Sequence, residues 1–201
     1  MYNLRGSGSF TTKNIVKISI LSLIGFILTM INFNVPIFPP FLLLDIGDVP
    51  TVIGTIAMGP WAGIAIQLVK NLIKVVIAPS VAGVGELANF VIGVSYVVPF
   101  AFVYFHGKIK SKNFLLGAIA GTLGMMIVGA ISNWLIFLPI YAMLLGGMDT
   151  IIEMASTVNE NITNAFTLVI VAITPFNLLK GSLTSIVAYV VYKSIKPILQ
   201  K

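Results

Sequence analysis

Pro175-Phe-Asn-Leu-Leu-Lys-Gly-Ser182 sets an amide and an ammonium three residues apart inside an otherwise apolar run. On a helix Asn177 and Lys180 then share one face, and Pro175 frees backbone carbonyls one turn earlier. Donors and acceptors at that depth suit an interior ligand contact; pairing of Lys180 with an acid is the structural alternative. Asp45-Ile-Gly-Asp48 forms a second group, which reads as an N-cap for the helix that Pro50 opens or as part of a site. Lys70 and Lys74, four apart on one helix face, suit either snorkelling to an interface or ion pairing with Asp45, Asp48 and Glu86. Asn89 and Asn133 are amides in apolar segments, and buried amides need partners from neighbouring helices or from a ligand. If Asn89, Asn133, Asn177 and Lys180 converged with the loop carrying Phe38 and Phe41, they would form a mostly apolar pocket with a few polar groups. That is the usual form of a small-molecule site.

Other chemistries lack their residues. The chain has no cysteine, hence no disulfide, thiolate metal site or cysteine nucleophile. Its one histidine, His106, lies at a basic loop, and no Ser-His arrangement or His/Glu cluster falls within an apolar segment. No catalytic residue and no metal ligand is assigned. A Gly-x-x-x-x-Gly-Lys-Ser/Thr loop does not occur, so the chain does not itself hydrolyse ATP by that mechanism. Asp45, Asp48 and Glu86 leave a metal-dependent membrane enzyme acting on lipid as the weaker alternative, since span-end acids serve capping and ion pairing. The net charge of +6 is not a nucleic-acid footprint, because the basic residues flank apolar stretches and form no continuous patch. It reads as orientation plus weak attraction to anionic membrane lipid.

The elements that must position these groups are membrane helices. Hydrophobic residues make up 58% and charged residues 9% of the chain, against about 25% charged in soluble domains; the mean hydropathy is +1.04. All but three of the twelve basic residues fall in Arg5 to Lys17, Lys108 to Lys112 and Lys193 to Lys201, and the six acids lie elsewhere. Such sorting reads as topology, with basic segments on the cytoplasmic side. The expected spans are Ile15 to Ile31, a short helix from Asp48 to Met58, Trp61 to Ile77, Glu86 to Phe105, Phe114 to Leu138 with Pro139 kinking or ending it, and Ala165 to Tyr192 interrupted at Pro175. The polar stretch Gly146 to Asn164 is expected outside the membrane with a short interfacial helix. The segment Val35 to Leu44 holds Pro36, Pro39 and Pro40 and is expected to be non-helical, tolerable beside a membrane where it packs on protein or lines a cavity. Gly59-x-x-x-Gly63 and Gly117-x-x-x-Gly121 provide small faces for internal packing or for a partner. The fold expected is all-α: six transmembrane helices, a Pro-rich loop between the first two, both termini cytoplasmic, and one domain over residues 1–201 with a flexible N-terminus over residues 1–12.

Taken in order, Pro39-Pro-Phe-Leu-Leu-Leu-Asp-Ile-Gly-Asp-Val-Pro50, Gly59-Pro-Trp-Ala-Gly63, Lys70-Asn71, Ala88-Asn-Phe90, Asn133 and Pro175-Phe-Asn-Leu-Leu-Lys180 resemble the riboflavin-specific substrate-binding (S) components of energy-coupling factor (ECF) transporters. The resemblance implies a six-helix domain of the bacterial cell membrane whose first loop caps a vitamin held near the outer face. Riboflavin is then the transported ligand and no cofactor is implied; flavin mononucleotide stays open as a second ligand. A transmembrane coupling protein and two cytoplasmic ATPases are the implied partners, which accounts for the missing nucleotide motif. Carried over, substrate contacts fall on Phe38, Phe41, Leu42, Asp45, Asn89, Asn133, Asn177 and Lys180. Asn177 and Lys180 would bond the carbonyl and nitrogen edge of the flavin ring. One departure lies on the first helix, where the alanine pair used by the family for docking reads Ser19 and Leu23. An S component for another vitamin is the alternative, although cationic thiamin would call for an acidic, aromatic-lined pocket in place of a deep lysine.

Overall fold

The computed structural model describes residues 11–106 and 110–199, with side chains over 112–194 in the second stretch. Its elements are α1 (Thr12–Met30), a two-residue antiparallel ribbon of β1 (Phe33–Asn34) and β2 (Leu43–Leu44), α2 (Val49–Met58), α3 (Pro60–Ile77), a tight turn at Val81–Gly83, α4 (Val84–His106), α5 (Lys110–Ser132), α6 (Leu138–Leu145), α7 (Met148–Ser156), α8 (Ala165–Thr167) and α9 (Thr174–Leu199). The expected flexible N-terminus falls mostly outside the described residues. Thr11 caps α1, its side chain accepting the Asn14 N–H.

Among the described residues five helical stretches are long and apolar enough to cross a membrane: Thr12–Met30, Pro60–Ile77, Val81–His106, Lys112–Leu145 and Ala165–Ser194. Their outward faces carry large apolar side chains such as Ile20, Leu23, Ile27, Leu72, Phe102, Ile127, Leu135 and Ile186, which suits lipid contact. The sixth expected span differs. α2 has ten residues, about 15 Å of rise against a hydrocarbon core of about 30 Å. Most of it is buried, so it is a half-length helix held inside the bundle.

The chain stays helical through Pro139 and Pro175, so the first does not end its helix and the second does not interrupt the last span. Each proline follows a π-helical segment, Asn133–Phe137 and Leu168–Ile173, in which the N–H groups of Leu138 and Thr174 bond carbonyls five residues back. Widening the turn moves the carbonyl away from the proline ring and absorbs the missing donor, so the chain stays helical through it. The two small-residue faces are internal. A Cβ on Gly63 would lie 2.0 Å from Thr55 Oγ1, and a Cβ on Gly121 would lie 2.9 Å from the Tyr96 carbonyl, so α3 closes on α2 and α5 on α4 at glycine distance.

Three buried clusters fill the described bundle, the smallest being Ile18, Met58, Ala62 and Ile66 between α1, α2 and α3. A second, between α2, α4, α5 and α9, contains the ladder Tyr96, Phe100 and Tyr104, whose rings stack at 5.8 and 5.6 Å, with Phe114 edge-on to Phe100. The third gathers Phe38, Leu44, Leu138, Ile151, Ile162, Ile173 and Phe176 around the ribbon and α7. The candidate site lies at that end.

Candidate functional site

A cavity of about 230 Å³ opens between the loop of residues 31–48, the turn of residues 78–85 and α6. Its apolar wall includes Phe41, Leu42, Ile92, Leu138, Tyr141 and Phe176. Its polar groups are Asp45, Lys74, Ser80, Asn89, Asn133, Asn177 and Lys180, with Thr29 and Asn32 at the α1 side. A largely apolar cleft with a few fixed polar groups orients a small organic molecule.

Asp45 and Asp48 are set by the turn between them. Asp45 Oδ1 accepts the Gly47 N–H at 2.8 Å, and Gly47 packs so tightly on α1 that a Cβ there would lie 1.9 Å from Thr29 Oγ1. The free Oδ2 of Asp45 then faces α9, where Lys180 Nζ donates to it at 3.0 Å and to Asn89 Oδ1 at 3.0 Å. Asp48 sits at the N-cap position of α2, yet its side chain makes no capping bond. Its Oδ1 accepts from Lys70 Nζ at 2.5 Å and from Gln67 Nε2 at 2.6 Å, and its Oδ2 lies 3.7 Å from Lys180 Nζ. Capping is therefore not what this carboxylate does. Two carboxylates and two ammoniums close a neutral cluster with almost no exposure, as buried charges require.

Snorkelling does not describe Lys70 either, since it is fully buried against Asp48. Lys74 pairs with Glu86 and donates to Ser80 Oγ at 2.8 Å. The ion pairing expected among these groups is thus formed, in two pairs of different depth. α3 presents Gln67, Lys70, Asn71 and Lys74 on one stripe, and Asn71 Oδ1 accepts from Asn89 Nδ2 at 3.0 Å. Gln67 and Asn71 were missed as network members, although their period of three to four in an apolar helix is a legible signal.

The amides differ in what remains free. Asn89 is engaged on both sides, by Lys180 and Asn71. Asn133 donates to the Gly129 carbonyl at 2.7 Å, which leaves its oxygen and one N–H. Asn177 is 3% exposed and lines the cavity, and its amide makes no hydrogen bond among the described residues. Its position is fixed by Gly129, where a Cβ would lie 2.5 Å from Asn177 Nδ2. Of the residues expected at the site, Phe41, Leu42, Asp45, Asn89, Asn133, Asn177 and Lys180 line one cavity. Phe38 stands behind the wall, its ring edge-on to Phe176 at 5.4 Å. Tyr141 and Lys74 also line it and were not among those expected; a lone tyrosine in an apolar run has no spacing signal.

Residues 13–192 match the family described as ECF transporter, substrate-specific component. The chain belongs to that family. The riboflavin transporter RibU of Staphylococcus aureus (strain TCH60) is 36% identical over 189 residues, 94% of this chain and 93% of the relative. The riboflavin transporter FmnP of Bacillus subtilis (strain 168) is 34% identical over 191 residues, 92% of this chain and 93% of its own. A solved chain described as the S component of a bacterial ECF transporter superposes with a TM-score of 0.76 at 34% identity, covering 94% of this chain and 99% of that one. As an ECF S component the chain is a multi-pass membrane transport subunit and not an enzyme. Its polar groups have to recognise a molecule and need not break a bond in it.

Proposed function

We propose that this S component binds riboflavin at the outer face of a bacterial cell membrane and carries it across, driven by a transmembrane coupling protein and two cytoplasmic ATPases. The observation that carries the reading is the amide of Asn177. It lines the cavity with no hydrogen bond to the described residues, so both its N–H groups and its oxygen are open to a molecule held there. The pyrimidine edge of a flavin offers alternating carbonyl acceptors and an N–H donor. Asn177 can answer both kinds, and Asn133 keeps a free oxygen and one N–H. Lys180 has three N–H donors, two of them committed to Asp45 and Asn89, and the third can serve a ligand carbonyl in competition with Asp48 Oδ2 at 3.7 Å. Phe41, Leu42, Ile92 and Phe176 supply apolar surface for the ring faces. Asp45 and Asn89 act through Lys180, holding its ammonium in place, and Phe38 supports Phe176.

In this reading the loop of residues 31–48 caps the ligand, both termini face the cytoplasm, and α2 together with that loop completes the sixth crossing. The relatives' names, at 34–36% identity over nearly the whole chain, support the substrate. The test is the visible absorption spectrum of the purified protein, followed by denaturation and identification of the molecule released. A flavin at about one per chain is expected. A colourless protein that also fails to quench added riboflavin fluorescence overturns the reading.

A further inference from the structure

One helical turn along α4 from Asn89, the cavity has a second polar end. Lys74 and Ser80 line it, and Glu86 stands directly behind them, its side chain fully buried while that of Lys74 is 15% exposed. Glu86 accepts the Ser80 N–H through both oxygens, at 3.0 and 3.2 Å, and binds the Lys74 ammonium; Lys74 donates in turn to Ser80 Oγ. The turn it pins is unusual. Val81 and Ala82 take φ of 46° and 55°, a left-handed conformation costly for a β-branched residue, at the cavity wall. Deeper in, Lys180 is matched by Asp45 and Lys70 by Asp48. Among the described residues lining the cavity, therefore, every ammonium is compensated by a carboxylate.

We infer that Lys74, Ser80 and Glu86 form a charge-compensated subsite for the hydroxylated tail of the ligand, in which Glu86 withholds the Lys74 ammonium from a terminal phosphate. The inference rests on the flavin reading and deepens it. A planar head bonded by Asn177, Asn133 and Lys180 leaves its tail near this end. There the Ser80 hydroxyl and the remaining N–H of Lys74 are suited to neutral hydroxyl groups. A phosphate monoester brings about −1.5 to −2 charges at neutral pH. It meets an ammonium already neutralised and a buried carboxylate behind it.

The experiment titrates riboflavin and flavin mononucleotide onto the purified full chain by flavin fluorescence quenching, with wild-type, Glu86→Gln and Lys74→Gln protein, and reads the ratio of the two dissociation constants. Glutamine at position 86 keeps an acceptor for the Ser80 N–H and removes the charge. Freeing Lys74 for a charge-assisted bond should shift the ratio toward the phosphorylated flavin by about tenfold or more. Lys74→Gln leaves Glu86 uncompensated and should shift it about as far the other way. If Glu86→Gln cannot be purified folded, the Lys74→Gln shift decides. A ratio unchanged within about threefold, or moved in the same direction by both variants, overturns the subsite while riboflavin binding stands. Wild-type protein that quenches neither flavin refutes the flavin reading, and the subsite with it.

Discussion

Replacing Lys180 by methionine separates two roles that the structure merges. The side chain is buried, and its ammonium lies 3.0 Å from Asp45 Oδ2 and 3.7 Å from Asp48 Oδ2. Lys70 neutralises Asp48 alone, so Lys180→Met turns a neutral four-charge cluster into one with an unpaired buried carboxylate at Asp45. Breaking a buried pair from one side costs about 3–5 kcal/mol. Adding Asp45→Asn removes the stranded charge and keeps an oxygen for the Gly47 N–H. What remains is the unpaired Asn89 oxygen, worth about 1–3 kcal/mol. The double variant should therefore be more stable than Lys180→Met by about 2 kcal/mol, a coupling readable in a double-mutant cycle. Unfolding in mixed micelles with increasing SDS, followed by the fluorescence of Trp61 and Trp134, supplies the free energies. Flavin affinity should stay low, by about 10- to 100-fold, in both variants, because the ligand loses its charged donor in each. If Lys180→Met unfolds within about 1 kcal/mol of wild type, or Asp45→Asn does not improve it, the buried-pair reasoning is wrong.

Asn177→Ala should weaken riboflavin about 5- to 30-fold by fluorescence quenching while leaving the unfolding curve close to wild type, since among the described residues that amide makes no hydrogen bond and opens onto the cavity. Gly129→Ala drives a methyl to within 2.5 Å of Asn177 Nδ2, and an affinity loss of roughly tenfold is expected without any change to a ligand-contacting residue; unchanged affinity would show that the position of Asn177 is not critical. Gly63→Ala places its Cβ 2.0 Å from Thr55 Oγ1 and should cost about 1–3 kcal/mol in the SDS assay, with part recovered by adding Thr55→Ala. Phe38→Ala should destabilise by about 3 kcal/mol or more, and its effect on affinity should be smaller than that of Asn177→Ala, because the ring supports Phe176 and does not line the cavity.

Membrane residence, the helix order and the short second helix were legible in the chain because they follow from local quantities: apolar run length, proline position and the sorting of charge. The main polar residues were legible too, since an amide or ammonium deep in an apolar span has few structural reasons to be there. Local rules fell short at two places. Pro139 reads as kinking or ending its helix and Pro175 as interrupting the last span, but a π segment before each re-routes the backbone bonds and keeps the chain helical, and nothing in a proline's neighbours announces that adjustment. Asp48 before Pro50 left capping and a site role open, and Lys70 and Gln67 from α3 outcompete the backbone N–H groups for its carboxylate.

The sequence by itself determined that this is a bundle of apolar helices with lysines and amides at depth, because run length and position along a span are local quantities and a charge at that depth must be turned inward and paired. Only the tertiary structure decided which acid neutralises which lysine: Asp48 with Lys70, Glu86 with Lys74, Asp45 with Lys180. It also decided that Asn89 is consumed within the protein while Asn177 is left facing the cavity. Those choices depend on distances between segments up to 135 residues apart, and Coulomb and hydrogen-bond energies at a few ångströms are set by packing, which no spacing along one helix encodes.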